Sequence, residues 1–521
     1  MLRADKLTID FLPEKSIYRL TFGKTEVVTE LFVTEKNKRF VMNVTVKNLG
    51  EQVKEYSILK CAFPYLNELL MAPWDKPEWY TRTEYLKDKN AFLTTKYSVA
   101  GKKEERRYLT IVSNDETNNR ELSLERLTAL TKNFSVIPDK IGGGTEDTLY
   151  AFKQCVSTLA TVNLKGGESY SFTQVFAVTD DEKKIVENIK NSVKYFDSTV
   201  QKAEEEKLAE KHAELFSVRT VKTGDPDFDS FVNGFLPLEM CWVSSLDRGW
   251  PTGMRGVRDA ANDFEGMLCY DKQMCKGVIE NIFSKQRNDG WYPRQVPFGT
   301  GTKFDLREFV DSACFFTEYV YDYLAYTGDY SILENKYGYY DCETQESGLT
   351  HLKKGMDYLL SDDALGVHGL VKMRGGDWLD CLSGAGKKGR GESVMVSCQL
   401  VMCLKYLVEI LNKVGQVNEV EKYEKAGYRL KNAINKAAFN GRFYNAVYTD
   451  NDTWLFSEKD EDGEERVYVP TNAYAVISGV ASGKENEIFN EIAKLKTSDG
   501  YKLFSKPLGG KFIDGIGKMG T

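Results

Sequence analysis

Two carboxylates three positions apart, Asp377 and Asp380, flank Trp378 in a glycine-rich stretch of the chain. The flat apolar face of a tryptophan can stack on a sugar ring, and a carboxyl group beside such a face loses water, which raises its pKa. A carboxylic acid with a raised pKa stays protonated and can act as a general acid near neutral pH. The pattern therefore indicates a glycosyl-transfer centre, although two loop carboxylates that cap a following helix would look the same.

Two blocks of the sequence are together more specific than this motif alone. Residues 376–380 read Gly-Asp-Trp-Leu-Asp and are followed, after a short loop, by Gly-Glu-Ser-Val at 391–394. Residues 253–263 contain an Arg-Asp-x-x-x-Asp pattern that begins at Arg258. The block at 253–263 precedes the block at 376–394 by more than 100 residues. In that order along the chain, the two blocks resemble the donor-sugar motif and the catalytic loop of the inverting β-glycoside phosphorylases of glycoside hydrolase family 94. That family includes the cellobiose, chitobiose, cellodextrin and 1,2-β-oligoglucan phosphorylases.

The resemblance implies a role for each residue of the catalytic loop. Asp380 matches the catalytic Asp of the family and would be the general acid. Trp378 would stack on the donor sugar or form a wall beside it. Asp377 would anchor the loop by accepting hydrogen bonds from backbone N–H groups. Leu379 stands where the family usually has Asn, a difference that bears on the acceptor side and leaves the acid unchanged.

The second block implies contacts to the donor sugar. Arg258 and Asp263 would hydrogen-bond hydroxyl groups of the donor glucosyl unit, because charged groups bond hydroxyls strongly and a fixed ring orients its anomeric carbon. Arg255 and Asp259 are candidate helpers. The alternative is a set of salt bridges at a helix start, since Asp259 and Asp263 are four positions apart.

Other candidate contacts lie in neighbouring loops. Trp291, Tyr292 and Arg294 lie in the loop where the family places aromatic sugar contacts, but packing in the core explains them equally well. Glu392 follows Gly391 and would either touch the acceptor or stabilise the first turn of the next helix. Asp311 falls near a pair of aspartates in the family, of which this chain has one, so its role is open.

The function implied by the resemblance is inverting phosphorolysis of a β-linked gluco-oligosaccharide, of the β-1,2-glucan or cellobiose type. Asp380 would protonate the glycosidic oxygen while inorganic phosphate attacks the anomeric carbon from the opposite face, which gives α-glucose 1-phosphate and a shortened acceptor. No metal and no organic cofactor is expected, and the phosphate-binding residues are expected beyond Thr521. Two alternatives stay open: a helical-barrel glycoside hydrolase that uses water, and an inactive remnant that binds sugar.

Composition limits the classes of partner and the kinds of site that the protein can have. A net charge of −7 makes a nucleic-acid partner improbable. Ten scattered cysteines, several of them inside apolar helical patterns such as Cys398 and Cys403, indicate thiols in a reducing compartment. Three distant histidines do not suggest a metal site. No apolar run reaches the roughly 18 residues of a membrane span, and no signal peptide is visible. A cytoplasmic protein without a membrane partner, and possible homodimer formation, are the resulting expectations.

Hydrophobic patterning predicts a multidomain α and β protein. Period-two alternation before Asp180 indicates antiparallel strands, and we predict a β-sandwich domain over 1–179. The spacing changes to a helical period at Ile185, capped by Thr179 or Asp180, which predicts a helical linker over 180–218.

The remainder, 219–521, is predicted as a helical catalytic domain, and the resemblance makes it an (α/α)6 barrel. It would be incomplete at its C-terminus, because fewer helices are counted than six pairs require, and the opening strands of the family have no counterpart at the N-terminus. The predicted helices cover 228–240, 262–286, 310–326, 348–360, 393–414, 417–437 and 470–480.

Overall fold

A computed structural model describes most of the chain: residues 4–34, 36, 39–64, 66, 80–97, 106–115, 119–142, 147–150, 153–245, 254–298, 303–382, 384–508, 512–513 and 517–518. It forms two compact units, Met1–Leu238 and Glu239–Thr521. The segment predicted as a linker thus belongs to the first unit. The predicted domain boundaries at 179 and 218 stay predictions.

The first unit is built on antiparallel strands that form two sheets. The nine-stranded sheet has the order β1-β2-β3-β4-β12-β8-β7-β6-β10, and the three-stranded sheet has the order β5-β11-β9. The strands are β1 (Lys6–Phe11), β2 (Ser16–Phe22), β3 (Thr25–Val33), β4 (Arg39–Asn48), β5 (Lys54–Ala62), β6 (Thr81–Leu86), β7 (Ala91–Lys96), β8 (Arg107–Ser113), β9 (Arg120–Ser123), β10 (Thr148–Tyr150), β11 (Gln154–Leu164) and β12 (Ser169–Thr179).

Both faces of the large sheet are covered, which explains why apolar residues occur at odd and even positions of its strands. Phe92 and Ile111 pack on one face against Val156 of β11 in the smaller sheet. Val41 and Val175, which are register partners in β4 and β12, face the opposite side with two isoleucines of the following helix. The predicted antiparallel sandwich is therefore confirmed.

The helical segment of the first unit is interrupted. Its helices are α1 (Leu124–Leu130), inserted after β9, then α2 (Ile185–Val193), α3 (Ser198–Ser217) and α4 (Pro226–Ser230). The predicted caps at Thr179 or Asp180 are wrong: the Asp181 side chain accepts from the Lys183 N–H at the start of this segment. Asp197 then separates α2 from α3 and caps α3 by accepting from Thr199 N–H. A side chain that bonds its own backbone two residues on competes with a continuous helix.

The second unit is mainly helical, with short two- and three-stranded ladders between its helices. A π-helical turn over Phe231–Phe235 leads into α5, which crosses the boundary between the units in sequence. The helices are α5 (Leu236–Ser245), α6 (Val257–Met267), α7 (Lys272–Phe283), α8 (Ser312–Thr327), α9 (Ser331–Glu334), α10 (Gly348–Leu360), α11 (Val394–Lys413), α12 (Val420–Ala437), α13 (Val469–Ile477) and α14 (Glu485–Ala493).

The short strands of the second unit pair antiparallel. They are β13 (Met254–Gly256) with β14 (Gln295–Pro297), β15 (Lys336–Gly338) with β16 (Gln345–Ser347), β17 (Glu392–Ser393) with β18 (Val447–Tyr448) and β19 (Trp454–Leu455), β20 (Lys496–Thr497) with β21 (Gly500–Tyr501), and β22 (Phe512–Ile513) with β23 (Gly517–Lys518). The first of these ladders places two arginines of the candidate site.

The helix predicted over 262–286 is wrong in one respect: the structure has two helices there. The apolar spacing continues across the break, but the Asp271 side chain accepts a hydrogen bond from Met274 N–H and starts α7 afresh. Helix α14 was not predicted. The remaining predicted helices agree with observed ones to within a few residues at each end, apart from 228–240, where a π-helical turn separates α4 from α5.

Helix α11 lies at the centre of the second unit. It packs against α8, α12 and α13, and its cysteines Cys398 and Cys403 are fully buried free thiols. Among the described residues it is also the one helix that is long and apolar enough to cross a membrane, and 78% of its apolar 18-residue stretch is buried inside the protein. Burial of this kind is typical of the core helix of a helical domain.

Candidate active site

The catalytic loop is fixed to a neighbouring loop through its glycines. Gly375 N–H donates to Glu308 O at 2.9 Å, and Val310 N–H donates to Gly376 O at 3.1 Å. Gly376 has a φ of +140° and lies so close to the Phe309 ring that a Cβ atom would be 3.0 Å from it. A side chain at 376 would thus be strained twice, by the backbone conformation and by this contact. Glycine here lets the loop approach Phe309.

Asp380 is the carboxylate of this loop that reaches the surface, with 51% of its side chain exposed. Its Oδ1 accepts a hydrogen bond from Arg258 Nη2 and its Oδ2 accepts one from Arg294 Nη2, each at 2.7 Å. A protonated carboxyl group has an O–H donor in place of one acceptor oxygen. Transfer of a proton to or from Asp380 therefore requires one of these arginines to change partner.

The ladder of β13 and β14 brings the two arginines together. Gly256 is the register partner of Gln295, and Val257 N–H donates to Arg294 O at 3.2 Å. Arg258 follows one strand and Arg294 precedes the other, so antiparallel pairing puts both beside Asp380. The geometry around Asp380 thus depends on a short ladder between segments about 40 residues apart.

On its inner side Asp380 connects to a second aspartate. Arg258 also donates through Nη1 to Asp311 Oδ2 at 3.1 Å and to the Asp377 carbonyl oxygen at 3.0 Å. Asp311 is buried. Burial raises the pKa of Asp311 even though the Arg258 charge lowers it. Arg258 is thus the link between the surface carboxylate and a buried one.

On its outer side Asp380 is linked through Arg294 and Asp305 to another arginine, Arg307. Arg294 Nη1 donates to Asp305 Oδ2 at 3.1 Å, and Arg307 donates to the same carboxylate through Nε and Nη2. Burial opposes ionisation of Asp305, but the bonds from Arg307 and Arg294 outweigh it and hold the pKa of Asp305 below its usual value. The guanidinium carbons of Arg258, Arg294 and Arg307 all lie within 5.8 Å of the centre of the Phe309 ring.

Asp377 is buried and holds the loop in place. Its Oδ1 accepts from Leu379 N–H at 3.0 Å, and its Oδ2 accepts from Ser393 Oγ–H at 2.7 Å. Ser393 also caps α11 by accepting from Val396 N–H. Burial raises the pKa of Asp377 from 3.8 to about 6. The first aspartate of the motif therefore ties the catalytic loop to the start of α11.

This burial of Asp377 makes stability depend on pH. Because the folded-state pKa of about 6 exceeds the ordinary 3.8, the folded protein holds this proton more tightly than the unfolded chain. The stabilisation is present below about pH 4 and is lost as pH rises through about 6. Relative to Asp377→Asn, which cannot ionise, the wild type should lose roughly 3 kcal/mol of stability between those limits. Urea unfolding of both proteins at stepped pH measures this, and parallel curves would contradict it.

The predicted aromatic contacts differ in exposure. Trp378 is 37% exposed and can meet a ligand. Trp291 is buried, and its Nε1–H donates to Phe309 O at 3.0 Å. Tyr292 is buried as well and packs against Phe316 with ring centres 5.2 Å apart. Trp291 therefore supports the Phe309 segment from beneath, and Tyr292 lies in the helical core.

The other two predicted contacts are buried ion-paired carboxylates. Asp263 is paired with Arg255, whose guanidinium lies between the rings of Phe264 and Phe298. Glu392 accepts from His368 N–H at 3.0 Å and also bonds the His368 ring. In the described structure these side chains contact protein groups.

A further aspartate fixes the loop that follows the catalytic residues. Asp450 is buried, and its carboxylate accepts from the backbone N–H groups of Lys388, Arg390 and Gly391. The backbone N–H of Asp450 donates to Ala385 O at 2.8 Å. The segment 385–391 is therefore held through its main chain.

Sequence reasoning did not identify Asp305 or Arg307 as parts of the site, and it named Arg294 beside Trp291 and Tyr292 without connecting it to Asp380. Arg294 is 86 positions from Asp380 in sequence, and no local motif joins them. The Asp305–Arg307 pair at a separation of two was a usable signal for a fixed loop cation, since their side chains are on one side of an extended segment.

Among the described residues no group of three or more His, Cys, Asp or Glu side chains could hold a metal ion. The expectation that neither a metal nor an organic cofactor takes part stays a prediction.

Comparison with known families assigns both parts of the chain. The catalytic domain of the glycosyl hydrolase 94 superfamily matches residues 212–519, and the glycosyl hydrolase 94 supersandwich domain matches residues 1–194. The resemblance that the two sequence blocks carried is thus confirmed.

Three curated relatives are similar in sequence. A 3-O-beta-D-glucopyranosyl-beta-D-glucuronide phosphorylase of Paenibacillus borealis is 26% identical, over 56% of this chain and 37% of its own length. A solabiose phosphorylase of Paenibacillus borealis is 25% identical, over 73% and 49%. A cellobionic acid phosphorylase of Neurospora crassa is 24% identical, over 55% and 36%. The matched part is less than half the length of each of these relatives.

A solved structure supports the fold. A bacterial glucoamylase in complex with acarbose has a TM-score of 0.63 at 11% identity, over 99% of this chain and 74% of that one. At this identity the likeness concerns the fold alone, and it agrees with the predicted β-sandwich followed by a helical barrel. Because the two family domains match in order along nearly the whole chain, the protein belongs to the glycosyl hydrolase 94 superfamily.

Proposed function

We propose that this protein catalyses the inverting phosphorolysis of a β-linked glucosyl disaccharide or short oligosaccharide, of the β-1,2-glucan or cellobiose type, with Asp380 as the general acid. The observation that carries the proposal is the placement of Asp380. Its carboxyl group is half-exposed beside Trp378, and each of its oxygens faces a guanidinium group.

In the proposed reaction the bond between the anomeric carbon and the glycosidic oxygen breaks as Asp380 gives its proton to that oxygen. A phosphate oxygen forms a bond to the anomeric carbon from the opposite face. The products are α-glucose 1-phosphate and the shortened acceptor, and Asp380 is left as a carboxylate to be reprotonated. Trp378 forms a wall beside the donor ring, and Arg258 fixes donor hydroxyl groups.

The state of the neighbouring carboxylates favours phosphate over water as nucleophile. An inverting hydrolase needs a second carboxylate that activates water. Among the described residues around Asp380, Asp311 and Asp377 are buried, and Asp305 is bonded to two arginines. None of these three is open to a water molecule on the far side of a sugar. Phosphate is already anionic and requires no such base.

The names of relatives in sequence also favour phosphorolysis. The curated relatives named above, together with an N,N'-diacetylchitobiose phosphorylase of Vibrio proteolyticus that is 24% identical over 51% of this chain, are phosphorylases by name. They support phosphorolysis of a disaccharide-type substrate.

The test is an assay of the full-length protein with a panel of β-linked glucobioses, with and without inorganic phosphate. We expect α-glucose 1-phosphate that depends on phosphate, and no free glucose beyond the released acceptor unit. Cleavage at the same rate without phosphate would support the hydrolase alternative. Binding of sugars without any cleavage would support the sugar-binding alternative. A cytoplasmic location and a homodimer stay predictions.

A further inference from the structure

Arg307 is an exposed cation held in a fixed position at the outer edge of the site. Its side chain is 63% exposed. Its Nη2 donates to Asp305 Oδ2 at 2.6 Å, and its Nε donates to Asp305 Oδ1 at 3.0 Å. Its own N–H also donates to Asp305 Oδ1 at 3.1 Å. A long side chain held by both the guanidinium and the backbone loses little further freedom when a ligand binds it.

The exposed fraction rises from one arginine to the next along the chain of ion pairs that starts at Asp311. The exposed fraction of the side chain is 13% for Arg258, 17% for Arg294 and 63% for Arg307. Asp380 lies between the inner arginine and the outer pair. In an inverting reaction the acid stands on the side of the leaving group. Arg307 is therefore the exposed arginine of an ion-pair chain that includes Asp380, and we take the acceptor to lie on this side of the acid.

The charges on this outer side are not balanced once Asp380 holds a proton. Asp305 is then one carboxylate for two guanidinium groups, those of Arg294 and Arg307. The adjacent Glu308 belongs to another set of ion pairs, in which it pairs with Arg374 and Arg287 and these arginines also pair with Asp363 and Asp289. A carboxylate from the substrate would supply the missing charge.

We propose that the acceptor unit of the substrate carries a carboxylate, as in a uronic or aldonic acid, and that Arg307 binds it. The inference rests on the proposed phosphorolysis and adds the chemical class of the acceptor. A guanidinium group matches the planar geometry of a carboxylate with two parallel hydrogen bonds, and lysine cannot reproduce that geometry. Arg307 is thus a specificity-determining residue, distinct from the acid and from the groups that hold the donor.

The experiment runs the reaction in the synthetic direction, from α-glucose 1-phosphate, with glucuronate, gluconate or glucose as acceptor. We expect the wild type to favour the acidic acceptors. Replacement R307M should lower kcat/KM for them by about 10- to 100-fold, the size of one lost charge-assisted interaction. In R307M, kcat/KM for glucose should differ from the wild-type value by less than about threefold. R307K should recover part of the loss. The matched control R429M removes an exposed arginine of α12 and should change neither value.

The outcomes separate the inference from the proposed function. Turnover of glucose with no preference for acidic acceptors, or an equal loss for both classes in R307M, would overturn the role of Arg307 and leave phosphorolysis standing. If none of the three acceptors leads to release of phosphate from α-glucose 1-phosphate, the result would be evidence against phosphorolysis itself. In that case calorimetric titration of the wild type and R307M with a glucosyl-glucuronate disaccharide still decides whether Arg307 binds the carboxylate, and equal affinities would refute it.

Discussion

Replacement of Asp380 by asparagine is expected to lower the rate of phosphorolysis by a factor on the order of 10³, within the range that general acid catalysis contributes. The asparagine amide keeps the shape of the side chain and an oxygen acceptor for one arginine, but it has no acidic proton to give to the glycosidic oxygen. Sugar binding should stay nearly intact, because Trp378 and the buried Asp377 anchor remain. Initial rates of α-glucose 1-phosphate formation, together with titration by the disaccharide, measure both quantities.

A donor whose leaving group needs no proton separates loss of the acid from damage to the site. With β-glucosyl fluoride and phosphate, D380N should work within about tenfold of the wild type, since acid assistance is then a small part of the barrier. The matched control D499N changes an exposed aspartate in the turn between β20 and β21 and should behave as the wild type. Phosphorolysis of the disaccharide by D380N within tenfold of wild type would remove Asp380 from the role of acid.

Replacement of Arg258 by methionine is expected to damage both stability and activity. The variant leaves Asp311 buried without the guanidinium that bonds its Oδ2, and it removes the donor to Asp380 Oδ1. Breaking a buried pair from one side costs about 3–5 kcal/mol. We therefore expect a clearly lower urea midpoint and a loss of phosphorolysis of at least about 100-fold, comparable to the loss of a preorganised charged contact.

A double variant distinguishes the two effects. In R258M/D311N the buried position is neutral, so much of the lost stability should return, because removal of both partners is far less costly than removal of one. Activity should not return, since Asp380 still lacks its partner and the donor sugar still lacks a cation. Recovery of activity together with stability would show that Arg258 acts only by supporting the fold. A single variant as stable as the wild type would contradict the predicted buried pair.

The parts of the fold that local patterning controls could be predicted from the sequence. In β4 and β12 the alternation of side chains is set by the geometry of a strand, and the observed register pairs Val41 with Val175 as expected for a sandwich. The break before α7 could not be found in this way. The apolar period runs on through it, and the deciding event is one hydrogen bond to the Asp271 side chain.

The same contrast between what local sequence can show and what it cannot applies to the candidate site. The motif pointed to Asp377, Trp378 and Asp380, since three residues of one loop share a short sequence. The partners of Asp380 depend on pairing between two three-residue strands, β13 and β14, whose apolar content is too small to predict a ladder. The aromatic pattern did not reveal that Trp291 is buried while Trp378 is exposed, because burial is decided by elements that are distant in sequence.

The anchoring of segment 385–391 by Asp450 bears on how this enzyme family can diversify. The bonds to the Asp450 carboxylate come from main-chain N–H groups, which every residue except proline offers. The side chains of Lys387 and Lys388 are exposed and are not what fixes the loop. Drift at such positions leaves the path of the backbone unchanged. The loop can therefore acquire new surface chemistry by single substitutions while Asp380, which precedes it in the chain, keeps its position, which makes 387 and 388 suitable positions for a directed library.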